Sequence, residues 1–266
     1  MTPKNEGRDL KMTENVGRFL ILWVLVIVAL SGNYAAAKPG DDFSDVHKQE
    51  FGAIERRLSY NPDDLKAGNR LREICRSEKS VPVCIKILND LTQKYPKNKT
   101  LRYHAALAYV DQVPGHTLFK QGWYSTRSMD HMSEILKDDP TDWSALYIRG
   151  LNGIFWPNSF RRLPGAIKDL EKCIELSTHL PDGLKKPYHT FAYIALGDAH
   201  VKNGSIDQGL QVYKQGLEIH DSKRLEKRVS FKTNDELIAY VLDVNDRNKP
   251  VDTDITFLLD GGLSKL

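Results

Sequence analysis

The decisive stretch runs from Tyr193 to Gly216. It reads Tyr193-Ile194-Ala195-Leu196-Gly197-Asp198-Ala199-His200, then Gly204 at a turn, then Gly209, Tyr213 and Gly216. Tyr193, Leu196, Gly197 and His200 recur at helical spacing, so they share one face. Gly209, Tyr213 and Gly216 form a second row at i, i+4, i+7, with a large residue between two small ones. Small residues at a crossing let two helix axes approach closely. The stretch therefore predicts two tightly packed antiparallel helices.

Working outward, turns rich in Asp, Asn and Lys carry a proline at Pro62, Pro96, Pro140 and Pro187, spaced 34, 44 and 47 residues apart. Before three of these prolines stands the same kind of row: Cys84, Leu88, Leu91; Ser128, Met132, Ile135; Ala166, Leu170, Cys173. Ten positions after a proline stands a small residue, at Ala106, Gly150 and Gly197. The first unit departs from this, with Arg72 in that place. Upstream, Phe51, Ile54 and Leu58 predict one more helix before Pro62. Two insertions account for the longer spacings. One runs from about Gln112 to Trp123. The other, Phe155 to Pro164, holds three aromatics and two arginines.

These residues resemble the tetratricopeptide repeat. The aromatic, Leu-Gly, aromatic, small, aromatic, small and proline positions of that family fall on them, with Gly209 and Gly216 in place of alanines and His200 in place of an aromatic. The likeness is good over 187–221, fair over 62–96 and weaker between. It implies an all-α fold, a right-handed solenoid of about four antiparallel helix pairs with flanking helices. The expected organisation is a leader at 1–37, the repeat domain at 41–221, and a capping helix and tail at 222–266. In the tail, Thr233-x-x-Glu236 reads as a capping box opening an amphipathic helix. Asp243 to Asp254 reads as a polar loop, and Ile255 to Leu259 as a docking segment.

In such a solenoid the first helices line an inner groove. The repeat register selects Tyr103, Leu107 and Val110, then Tyr147, Leu151 and Ile154, then Ile194, Asp198 and Val201. The equivalent places in the first unit are Asn69, Glu73 and Arg76, so the groove is polar at its N-terminal end and apolar in the middle. Three readings stay open at this point. The stripe is core; or the protein's own tail fills it; or it takes an apolar ligand or a partner segment. The resemblance implies binding of a protein or peptide. A carrier of a small apolar ligand and an enzyme with an unrecognised site are the alternatives.

The 266 residues are 41% hydrophobic and 27% charged, an ordinary globular composition. The net charge of +3 gives no case for nucleic acid. The basic N-terminus, the apolar run Phe19–Leu30 and Ala35-Ala36-Ala37 read as a secretory signal peptide. Export to a bacterial periplasm is the expected destination. The alternative is an uncleaved anchor over 19–37 in the inner membrane. The histidines show no His-x-x-x-His pair with a nearby Glu, and no phosphate loop or nucleophile elbow occurs. No catalytic residue, cofactor or metal is therefore assigned. The acid pairs Asp63-Asp64 and Asp138-Asp139 read as helix caps. Cys75 and Cys84 flank a predicted helix turn, and either form a disulfide or pack as buried thiols.

Overall fold

The computed structural model describes residue 40 and residues 42–260. The apolar run 19–30 and the Ala35-Ala36-Ala37 site lie outside the described residues. Among those described, no helix is long and apolar enough to cross a membrane.

The helix predicted from Phe51, Ile54 and Leu58 is α1 (Asp45–Tyr60), and it buries those three residues. Four pairs follow: α2 (Leu65–Ser77) with α3 (Val81–Lys94), α4 (Lys99–Asp111) with α5 (Leu118–Asp138), α6 (Trp143–Ile154) with α7 (Leu163–Thr178), and α8 (Thr190–Lys202) with α9 (Ile206–Ile219). The described residues end with α10 (Lys223–Val229), α11 (Asn234–Val244) and the short α12 (Phe257–Asp260).

The proline turns have a local cause. Two residues after Pro62, Pro96 and Pro140 stand Asp64, Asn98 and Asp142, and these cap α2, α4 and α6. Their side chains accept from the backbone N–H groups of Ala67, Leu101 and Ala145. Proline cannot extend the preceding helix, and the cap satisfies a backbone donor that the next helix leaves open. Each turn thus stops one helix and starts another.

The rows read from sequence all face inward. Cys84, Leu88 and Leu91 are buried in α3, Ser128, Met132 and Ile135 in α5. Ala166, Leu170 and Cys173 are buried in α7, and Gly209, Tyr213 and Gly216 in α9. The α8–α9 crossing shows why Gly197 must be small. A Cβ there would lie 2.1 Å from the Tyr213 ring. The tyrosine fills that space and donates its hydroxyl to Asp198 Oδ1 at 2.7 Å.

The insertions differ from simple loops. The second half of the first is helical, because α5 begins at Leu118 and runs for 21 residues. Gln121 and Ser125 extend its buried row toward the N-terminus. In the second, a 3-10 turn at Asn158–Phe160 follows Trp156, which is buried and donates from Nε1 to Ser125 Oγ at 2.6 Å. The capping box Thr233–Glu236 forms, and α11 packs on α8.

Candidate functional site: a groove holding the C-terminal tail

The first helices α4, α6 and α8 line a partly open cavity of about 310 Å³, bordered by the segment from Val244 to Leu258. Of the residues that the repeat register selects, Leu107, Val110, Tyr147, Leu151, Ile194 and Asp198 line it. Tyr103, Ile154 and Val201 do not. Tyr103 is buried in the junction between units, where its hydroxyl donates to the α6 cap Asp142 at 2.6 Å. Ile154 is fully buried at the end of α6, and its carbonyl accepts from Lys202. Both positions face the neighbouring unit rather than the concavity.

The middle of the groove is aromatic. Trp143 stacks on Tyr147 with centroids 5.1 Å apart and planes 15° apart. Trp143 Nε1 donates to the carbonyl of Cys173, which fixes the indole against α7. Burial pushes the Tyr147 hydroxyl pKa up, so it stays neutral at physiological pH. The tail adds to this layer. Ile255 and Phe257 are buried, and the Phe257 ring packs edge-on against Phe191 at 5.5 Å.

Each end of the groove carries a buried arginine–aspartate pair. At the C-terminal end, Asp198 meets Arg228 of α10 through two bonds, Nε to Oδ1 at 2.7 Å and Nη2 to Oδ2 at 2.8 Å. Tyr213 and Asn245 donate to the same carboxylate. Its lone pairs are thereby filled, and what the sequence marks as a contact for a partner is the hub of an internal network.

At the N-terminal end, Arg72 is fully buried at the position where the other units hold a small residue. Gly68 lies one turn before it, and a Cβ there would come 2.1 Å from the His104 ring. His104 therefore occupies the space the glycine leaves, and takes a long contact from Arg72 Nε at 3.4 Å. Arg72 reaches Asp111 through Nη1 at 3.2 Å, and Asn69 through Nη2 at 2.7 Å. It is also bonded to the tail: Nη1 to Thr253 Oγ1 at 2.8 Å and Nη2 to the Thr253 carbonyl at 2.6 Å. Arg76 Nη1 also donates to Thr253 Oγ1 at 2.9 Å, and the threonine hydroxyl donates to Asp111 Oδ1. The Thr253 hydroxyl oxygen thus accepts two bonds and donates one.

Arg72, Asp111 and Thr253 carry no motif that sequence reasoning recognises. The one signal is that Arg72 breaks the small-residue rule. A charge in that place must be paired, because an unpaired buried guanidinium is too costly to keep. Asn245 and Gln121 complete the fastening of the loop. Gln121 Nε2 donates to Asn248 Oδ1 at 3.0 Å, and Arg247 Nε donates to Gln121 Oε1 at 2.7 Å.

Cys75, Cys84 and Cys173 are free thiols, all buried. No disulfide joins Cys75 to Cys84. The two thiols pack side by side, and burial raises the Cys84 pKa well above its ordinary value. Such thiols are poor nucleophiles and poor metal ligands. Among the described residues no group of His, Cys, Asp and Glu is placed to hold a metal ion.

The helix pairs, their close crossings and the inner groove define a solenoid of the tetratricopeptide type. A solved structure bears this out: the thermophilic TPR protein TTC0263 of Thermus thermophilus is similar with a TM-score of 0.50 at 18% identity, covering 72% of this chain and 88% of that one. The crystal structure of MamA is aligned over 68% of this chain and 90% of its own, with 18% identity and a TM-score of 0.44. No protein-family model matches the chain, and no curated protein matches it.

Proposed function

We propose that this protein is a non-catalytic scaffold that binds an extended segment of another protein in its concave groove. One observation carries the reading: the groove already accommodates an extended stretch of polypeptide, held by side-chain bonds to its backbone and hydroxyl as well as by apolar contact. That is how peptide grooves obtain affinity and register together. The leader read at 1–37 supports export, with the partner in a bacterial envelope. An uncleaved leader would tether the scaffold to the inner membrane.

The test is a photo-cross-linking residue in place of Leu151, in the cell of origin. A discrete protein adduct that disappears when Leu107 is also changed to Asp supports the scaffold. Absence of any protein adduct, with the variant protein folded and present, overturns it.

The cavity of about 310 Å³ favours a second reading, a carrier of a small apolar ligand. Ligand pockets span roughly 300–1,000 Å³, so this one suits only a small molecule. Native mass spectrometry separates the two. A constant small mass lost on denaturation would favour the carrier.

A further inference from the structure

The tail does more than cover the groove. Its contacts specify a sequence pattern. Thr253 presents a hydroxyl that accepts from Arg72 and Arg76 and donates to Asp111. Serine could make the same three bonds, whereas valine, equal in shape, could make none. Two and four residues on, Ile255 and Phe257 enter the apolar groove. On either side of the threonine stand Asp252 and Asp254. Two arginines face one aspartate at this end of the groove, so the site has an excess positive charge that carboxylates complement. Asp254 also folds back to accept from the backbone N–H and hydroxyl of Thr256, which turns the chain so that Phe257 points inward.

The segment is fastened by side chains of the groove wall. Residues 245–256 contain no helix or strand. Release would take Ile255 and Phe257 out of the apolar cluster they share with Phe191 and Ile194, so an open groove needs a replacement of like chemistry.

We infer that residues 251–258 are a resident ligand standing in the partner's place. The groove's partner is a protein segment that presents a Ser or Thr hydroxyl between two carboxylates and then turns, bringing apolar side chains two and four residues further on into the groove. This rests on the scaffold reading and adds the partner's chemistry to it. Binding in trans then competes with the tail in cis, and apparent affinity falls in proportion to the fraction of grooves left open.

The experiment uses the full chain with Ile255→Asp and Phe257→Asp, which weaken the tail while leaving the groove intact. A fluorescent peptide of residues 251–258 is titrated by anisotropy. The expected result is saturable binding, at least about tenfold weaker on the unsubstituted chain. A peptide with Ser at the Thr253 position should bind within a few-fold of the parent, and one with Val at least about tenfold more weakly. Equal binding of the Val peptide or of a scrambled peptide overturns the inference, as does no binding to the variant.

If the double variant does not fold, a specific protease site between Asp246 and Lys249 serves instead. After cleavage, the freed tail should be displaced by the parent peptide and not by the Val peptide. Indifference to that substitution sinks the inference.

The two readings fail separately. A partner cross-linked at Leu151 through a segment lacking the hydroxyl pattern leaves the scaffold standing and removes this inference. Correct peptide selectivity with no partner in the cell leaves the groove's preference for the tail pattern standing and removes the scaffold.

Discussion

The two ends of the groove are built from the same chemistry and put to different use. At the C-terminal end, Asp198 and Arg228 meet in a two-bond geometry, and Tyr213 and Asn245 fill what remains of the carboxylate. At the N-terminal end, Arg72 and Asp111 share a single bond at 3.2 Å, and shorter bonds of Arg72 go to Thr253. The first pair is complete within α8, α9, α10 and the end of α11. The second is completed by Thr253, which a segment without regular secondary structure brings back from the C-terminal tail. A buried ion pair with all its hydrogen bonds made is a structural element. One that needs a distant threonine to complete it depends on where the tail lies.

The largest expected effect breaks the complete pair. Asp198→Ala leaves Arg228 buried without its carboxylate and should cost about 3–5 kcal/mol. A urea unfolding curve checks it, and a midpoint near that of the unsubstituted chain would mean the guanidinium finds water or another partner.

Next comes the crossing that supports Asp198. Gly197→Ala puts a Cβ into the Tyr213 ring, and the overpacking should cost about 1–3 kcal/mol. The same measurement applies. The Tyr213 bond to Asp198 should weaken with it, so the two substitutions combined should destabilise by less than their sum.

At the other end, Thr253→Val should act locally. Tail docking should weaken by about 1–3 kcal/mol, because three hydrogen bonds are lost and Arg72 is left short of acceptors. Hydrogen exchange over 251–258 should accelerate while the urea midpoint hardly moves. A large global loss would show that the tail belongs to the cooperative unit and would blur the contrast between the ends.

The smallest effect near neutrality concerns pH. Burial lowers the pKa values of His104, His131 and His189, the last two to about 4, and Arg72 further disfavours a charge on His104. In the unfolded chain these imidazoles titrate near 6.5. The unfolded state therefore binds more protons as the pH drops. Their contribution is fully present above about 6.5 and is lost towards 4. Urea midpoints at pH 7.5, 6 and 5 should fall in that order, and a flat profile would show that these rings are hydrated.

Much of the fold was legible because its causes are local. Pro96 followed by Asn98, or Pro140 followed by Asp142, stops and restarts a helix within four residues. The row Gly209, Tyr213, Gly216 states its own packing face. The groove was legible in part. Leu107, Val110, Tyr147, Leu151, Ile194 and Asp198 reach it because equivalent repeat positions share a direction. Tyr103 and Ile154 do not, because the same register also serves the junction between neighbouring units, and a periodic pattern cannot separate the two.

The sequence by itself determined the helices, their caps, their pairing and the close approach at Gly197, since each follows from residues within a turn or two of one another or one short connection away. Only the tertiary structure decided that the tail lies in the groove. The bond from Arg72 to Thr253 joins residues 181 positions apart. No periodicity links them, and the pairing exists only because the solenoid brings a buried arginine and a returning chain to the same place. The same holds for Asp198, whose carboxylate reads as a groove contact until Arg228, 30 residues away, is seen to occupy it.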